Sequence, residues 1–166
     1  CPARRIGYCT NVHAGDSLQQ ALDNLRHHAP RIASALKTTS PLPIGLWLSR
    51  QALTDARDME ITLLREELEE IGVAPFTMNG FPYGNFHKSV VKHDVYQPDW
   101  STTERIEYTF ELAKLFIQLI PAGTTAGIST LPISWGGRSP LLMESAIENL
   151  LQACRSMARL EDEFGT

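Results

Sequence analysis

No apolar run in this chain approaches the ~18 residues that a membrane-spanning helix needs. The opening residues Cys1-Pro2-Ala3-Arg4-Arg5 do not form the pattern of a signal peptide. Cysteine is scarce: Cys1, Cys9 and Cys154 make an odd count without metal-ligand spacing. They are expected to be reduced thiols, as in a cytoplasmic protein. Excess positive charge is also missing. The net charge of −4 argues against nucleic acid as a partner, because nucleic-acid binders carry basic stripes. No Gly-rich phosphate fingerprint follows the first strand-like run. Thr10-Asn11-Val12-His13-Ala14-Gly15 offers one glycine where a dinucleotide site uses three. The first residue is not methionine, so a processed chain or a piece of a longer gene is expected.

What remains is an ordinary globular composition, 43% hydrophobic and 20% charged, in 166 residues, which is enough for one domain with a sizeable core. The pattern alternates between strand and helix four times. Arg5 to Asn11 reads as a short strand. Asp16 is placed to cap a helix with Gln19 as its capping-box partner, and Leu18, Leu22, Leu25, Ala29, Ile32 and Leu36 follow at helical spacing. Pro30 falls inside that pattern and predicts a kink. Ile44 to Ser49 is the second strand. Ala52, Leu53, Ala56, Met59, Leu63, Leu64, Leu68 and Ile71 then predict one helix ended by Gly72 in the left-handed conformation. Its outer face carries Glu60, Glu66, Glu67, Glu69 and Glu70 and reads as solvated. Val73 to Asn79 is the third strand. Ser101 with Glu104 predicts the start of a third helix carrying Ile106, Phe110, Ala113, Phe116, Ile117 and Ile120, stopped by Pro121 and Gly123. Ala126 to Pro132 is the fourth strand and Ser134 to Arg138 a turn. Ser139 and Pro140 open a last helix with Leu142, Ala146, Ile147, Leu150, Cys154, Met157 and Leu160 on its apolar side.

Strands alternating with helices imply an α/β fold with a parallel sheet. Ligands of such folds gather at the C-terminal ends of the strands, which places Asn11, His13, Ser49, Asn79, His87, Ser129 and Trp135 near one rim. A (β/α)8 barrel takes ~250 residues and eight units. Four units predict a half-barrel fragment, the N-terminal half of a TIM barrel.

The longest departure from the repeat is the connection after the third strand, about twenty residues, where loops beyond ~12–15 residues usually bind something or are disordered. It holds Phe81, Tyr83, Phe86, Tyr96 and Trp100, residues that disordered segments lack. With Asn79, His87, Lys88, Lys92 and His93 among them, it suits the wall of a polar ligand site.

Several stretches together resemble a known family. Gly7-Tyr8-Cys9-Thr10-Asn11-Val12-His13, Gly45-Leu46-Trp47-Leu48, Asn79-Gly80-Phe81-Pro82-Tyr83-Gly84 with Phe86-His87, Val95-Tyr96-Gln97-Pro98-Asp99-Trp100 and Ser129-Thr130-Leu131-Pro132 resemble the EboE-type metabolite-traffic proteins. These belong to the xylose-isomerase-like, sugar-phosphate isomerase/epimerase-like TIM-barrel group, and the resemblance runs from residue 5 to about 160. It implies a chain more than twice this long. It also implies a small-molecule metabolite as ligand, and a divalent metal held in the wider group mostly by carboxylates of later strands, which this chain does not include.

Each candidate residue has an ordinary reading beside the functional one. His87 suits a metal ligand or proton carrier, or a loop histidine bonded to backbone. His13 sits at the same rim, while His27 and His28 are expected to be exposed on a helix. Asn79 can read a sugar hydroxyl or simply turn the chain with Gly80. Trp47, Tyr83, Phe86, Trp100 and Trp135 can wall a pocket or pack against helices. Lys88 and Lys92 can attract a phosphate or stand in solvent. Cys9 can be a nucleophile, or a small buried apolar residue. Two functions follow as expectations: a binding or traffic protein for a small, partly apolar metabolite, or a divalent-metal-dependent sugar (phosphate) isomerase or epimerase. The expected macromolecular partner is the complementary half-barrel or a second copy of the chain.

Overall fold

In the computed structural model, which describes residues 6–84, 94–121, 123–133 and 140–164, chain order and strand order coincide. The sheet runs β1 (Tyr8–Cys9), β2 (Leu42–Trp47), β3 (Val73–Asn79), β4 (Gly127–Ser129), with every neighbouring pair parallel. Each crossover therefore steps to the next position in the same direction. A doubly wound sheet would reverse that direction at a switch point, and no reversal occurs among the described strands.

Among the described residues five α-helices accompany the strands, one more than the periodicity predicts: α1 (Leu18–Leu36), α2 (Arg50–Asp58), α3 (Ile61–Ile71), α4 (Thr103–Leu119) and α5 (Pro140–Phe164). The extra one comes from a break at Met59 and Glu60, both in extended conformation. A continuous helix at 3.6 residues per turn would carry Leu64 and Leu68 about a quarter of a turn away from Ala52, Leu53 and Ala56. The break resets the phase, and all five side chains enter the core. Leu63, placed on the predicted stripe, is left 50% exposed. Gly72 ends α3 at φ 79°, the left-handed conformation expected of it.

The capping positions shift by one residue. Ser17, not Asp16, caps α1, and Gln20 completes the capping box. Thr102 precedes α4, and Ser101 instead bonds the Asp99 carboxylate. Pro30 lies on the exposed side of an α1 that is helical throughout, where water can take the carbonyl that a proline nitrogen cannot serve. On α5 the buried positions are Ala146, Ala153 and Leu160, while Ile147 and Cys154 face outward.

The main core joins one face of the sheet to the first four helices. Leu42, Ile44, Leu46, Leu48, Val73 and Met78 meet Leu22 and Leu25 of α1, Leu53 of α2, Leu64 and Leu68 of α3, and Leu112 and Phe116 of α4. A second, smaller core joins Trp100, Ile106 and Leu131 to Ala146 and Ala153 of α5. The opposite face of the sheet is different in kind. One cross-strand row runs Cys9, Gly45, Thr77, Gly127. A Cβ added to Gly45 would lie 3.1 Å from the Cys9 sulfur and 3.0 Å from Thr77 Oγ1, so these groups share that face. Cys9, Gly127 and Ser129 are exposed there. Cys9 is therefore not the buried apolar residue that its strand position suggests.

β1 and β4 each pair on one side only among the described strands. Unpaired edges recruit other strands, so the chain expressed alone is expected to dimerise or aggregate. Size-exclusion chromatography with light scattering checks this; a stable, soluble monomer would contradict it. A second expectation concerns Gly80, where a Cβ would sit 2.9 Å from the Ser129 carbonyl oxygen and 3.1 Å from Ile128 Cγ2. Backbone cannot give way cheaply, so Gly80→Ala should lower the unfolding free energy by about 1–3 kcal/mol in urea titrations.

Candidate functional site

The C-terminal rim of the sheet is assembled by side chains that hold backbone. Thr10 Oγ1 accepts from the Trp47 N–H at 2.8 Å, and Ser49 Oγ donates to the Asp16 carbonyl at 2.6 Å, which ties the ends of β1 and β2 together. At β3, Asn79 Oδ1 accepts from the Phe81 N–H at 3.0 Å and from Ser129 Oγ at 3.1 Å. The Gly80 N–H donates to the Ser129 carbonyl at 2.9 Å, which joins β3 to β4.

The connection that follows β3 leaves and returns through a packed neck. Trp47 Nε1 donates to the Pro82 carbonyl at 2.9 Å, and the Arg50 N–H donates to the Tyr83 carbonyl at 2.8 Å. The single Tyr108 hydroxyl proton lies between the Leu48 carbonyl at 2.6 Å and the Pro82 carbonyl at 3.1 Å. Arg105 spans the neck: Nη1 donates to Gly80 O at 2.7 Å on the outgoing side, and Nε to Pro98 O at 2.8 Å on the returning side. On the returning side Asp99 Oδ1 accepts from the Ser101 N–H and hydroxyl, and Trp100 Nε1 donates to Thr130 Oγ1 at 3.0 Å.

Arg105, Tyr108 and Asp99 are all fully buried. Burial pushes the Arg105 guanidinium down to about 10, partly opposed by Tyr108, Tyr83 and Asp99, and it stays a cation at neutral pH. Burial likewise pushes the Tyr108 hydroxyl well above its ordinary value. The guanidinium carbon lies 5.4 Å from the Tyr108 ring centroid and 5.8 Å from that of Tyr83, and the two rings are 5.0 Å apart.

The residues singled out in the sequence separate into groups. Asn79 and Ser129 are brought into direct contact, with Trp47 in register beside Asn79. Trp47 and Trp100 are buried, which is the packing alternative. Tyr83 is half-buried against Tyr108. Asn11 lies in a short turn of 3-10 helix, Thr10–Val12, and is half-buried. His13 lines the small rim cavity with Thr10, Trp47 and Ser49, and its ring stacks on His28 of α1 at 3.9 Å and 9°, with Tyr8 edge-on at 5.8 Å. His27 meets His28 edge-on at 4.6 Å, so His28 is not the free surface residue expected. Phe86, His87, Lys88, Lys92, His93 and Trp135 lie outside the described residues.

Space is small at the described rim. A cavity of about 10 Å³ between Thr10, His13, Asn24 and Ser49 is room for one water. A larger groove of about 330 Å³, lined by Phe116, Ile117, Ile128, Met157 and Leu160, flanks the segment entering β4, at the other end of the strand. It is remote from the polar groups described above, and the chemistry belongs with those groups. Among the described residues, no three His, Cys, Asp or Glu side chains are arranged to hold a metal.

The sequence carries a signal for the neck in the helical phase of α4. Arg105, Tyr108, Thr109, Leu112 and Phe116 follow one helical period and are buried together. A charged residue in phase with Leu112 and Phe116 is a group the fold must bury. Phe110, assigned to that stripe, is instead half-exposed beneath Lys114. Compared with known proteins, the chain matches no family model, no curated protein and no solved structure.

Tyr108→Phe leaves the buried Leu48 carbonyl without its hydroxyl donor and should cost about 1–3 kcal/mol of stability. The pH dependence tests the cause. A raised folded-state value means that the unfolded tyrosine ionises first, so this group's stabilisation is present below pH 10 and lost above it. The wild type should therefore lose more stability than Tyr108→Phe between pH 10 and more alkaline solution, read by chemical denaturation at each pH.

Proposed function

We propose that this chain is one half of a (β/α)8 barrel and that its rim at β3 and β4 binds a small polar metabolite. The observation that carries this reading is the asymmetry of the sheet. One face is packed by helices, while the other leaves Cys9, Thr77, Asn79, Gly127 and Ser129 wholly or partly open. A sheet covered on one face, stepped in one direction and free at both edges is what a barrel segment looks like before closure. The complement is four further strand–helix units, from a longer chain or a second copy.

Asn79 and Ser129 are the groups best placed to read a ligand. The Asn79 carbonyl oxygen is occupied by Phe81 and Ser129, while its amide brings two donors to the C-terminal end of β3. That suits a hydroxyl or carbonyl of a sugar-like metabolite. The motif resemblance to EboE-type metabolite-traffic proteins supports the same reading. The isomerase or epimerase alternative would take its acidic and histidine ligands mostly from later strands outside this chain; the binding reading is adopted because the groups that meet at this rim, Asn79 and Ser129, are hydrogen-bonding groups without a proton to exchange near neutral pH.

Asn79→Asp separates the ligand role from the turn. It keeps an oxygen for the Phe81 N–H and Ser129 hydroxyl and removes the amide donors. Native mass spectrometry of the purified protein should show a co-purifying small molecule on the wild type and its loss from Asn79→Asp, with the circular dichroism spectrum unchanged. Retention of that molecule by the variant, or a wild type that retains none and gives no thermal shift with a panel of pentoses, hexoses and their phosphates, would refute the reading.

A further inference from the structure

One side of α5 is buried, through Ala146, Ala153 and Leu160. A second apolar stripe runs along the same helix. Met143, Ile147, Leu151, Cys154 and Ala158 recur at three- and four-residue steps, so they share a face. All five are exposed, Ile147 at 48% and Leu151 at 50%. The stripe is centred about a third of a turn away from the buried side. Along one flank of it stand Glu144, Glu148, Arg155 and Arg159, all exposed. Their order does not suit a helix that faces only water. Two acidic residues four apart are followed by two basic residues four apart, and like charges at that spacing repel. None of the four joins an ion pair among the described residues.

We infer that this face is a homodimer interface, in which α5 packs antiparallel on the α5 of a second copy about a two-fold axis beside Leu151. Two-fold symmetry brings the same flank of both helices together with the direction reversed. An axis between Leu151 and Gln152 sets Glu144 level with Arg159 of the second copy, and Glu148 level with Arg155, each pair made twice. A parallel arrangement sets glutamate against glutamate and arginine against arginine, so the charge order selects the antiparallel one. The same axis places Leu151 against its own copy and Ile147 between Cys154 and Ala158 of the second helix. Glu161, Asp162 and Glu163 come to the N-terminus of the second α5 at Pro140, where the helix dipole favours negative charge. The contact uses the helical layer and leaves the strand edges and the open face of the sheet untouched, so it is independent of barrel closure. A following strand–helix unit of a longer chain is the rival occupant of the stripe, but it gives no reason for charges that complement their own reversal.

The test is sedimentation equilibrium on the full chain, with circular dichroism to confirm that each variant is folded. The wild type should be a dimer at about 100 μM, where a contact with Kd of about 1 μM is nearly fully formed. Glu148→Arg and Arg155→Glu each oppose like charges twice and should weaken the dimer roughly tenfold. The double variant restores opposite pairs and should return to the wild-type dissociation constant. A role of either residue within its own helix gives no such rescue, because positions seven apart are not neighbours there. Disulfide trapping reads the register. With the native cysteines changed to serine, Leu151→Cys should cross-link to its own copy on mild oxidation. Ile147→Cys should not, because its two copies lie about 13 Å apart along the axis. The cross-linking pattern decides even where the chain aggregates. A monomer at about 100 μM, a dimer that neither single reversal weakens, or a double variant no better than the singles overturns the inference. So does a Leu151→Cys variant that does not cross-link, or an Ile147→Cys variant that does. A dimer indifferent to every one of these changes is held by the strand edges or the open sheet face instead.

Discussion

The connection between β3 and α4 can insert without disrupting the sheet because its neck is closed by two side chains of α4, joined by the Trp47 indole of β2 and the Arg50 N–H of α2. Arg105 and Tyr108 stand one turn apart on α4 and take the carbonyls of Gly80, Pro82, Pro98 and Leu48. Buried carbonyls must find donors, and an irregular segment has no strand neighbour to provide them. Here α4 supplies most of them through side chains. This arrangement fixes Asn79, Gly80 and Tyr83 at the rim, and the reading of a ligand site depends on that fixity.

The second determinant is the one-sidedness of the layers. Even-numbered residues of β2 enter the helical core, and the opposite face presents the small residue Gly45 and, two residues on, the buried Trp47. A fully closed barrel interior is usually filled by bulky branched side chains. The row Cys9, Gly45, Thr77, Gly127 is small throughout.

Much of this was legible in the sequence, and the misses have physical causes. The alternation of strand and helix, the bounds of β3 and the stop at Gly72 follow from periodicity and glycine chemistry. The break between α2 and α3 did not, because the apolar residues on either side each fit a helix and only their relative phase betrays the change. Of the two readings open for Trp47 and Trp100, pocket wall or packing, burial favours packing: each indole buries its rings and still has one N–H to give, to Pro82 or to Thr130. His13 does lie at the rim beside Trp47 and Ser49, but its stacking on His28 of α1 was not legible, because the short turn at Thr10–Val12 leaves little trace in composition. Arg105 is hard to place from its type, since charge usually marks a surface, but its helical phase puts it with the buried residues of α4.

The unequal lengths of the strands have a further consequence. β2 and β3 share six paired positions, while β1 contributes two and β4 three. Cooperative opening begins where the fewest backbone bonds must break at once. The outer ladders should therefore exchange their amide protons for deuterium well before the central pair, so that the chain loosens at its margins while the middle of the sheet stays closed.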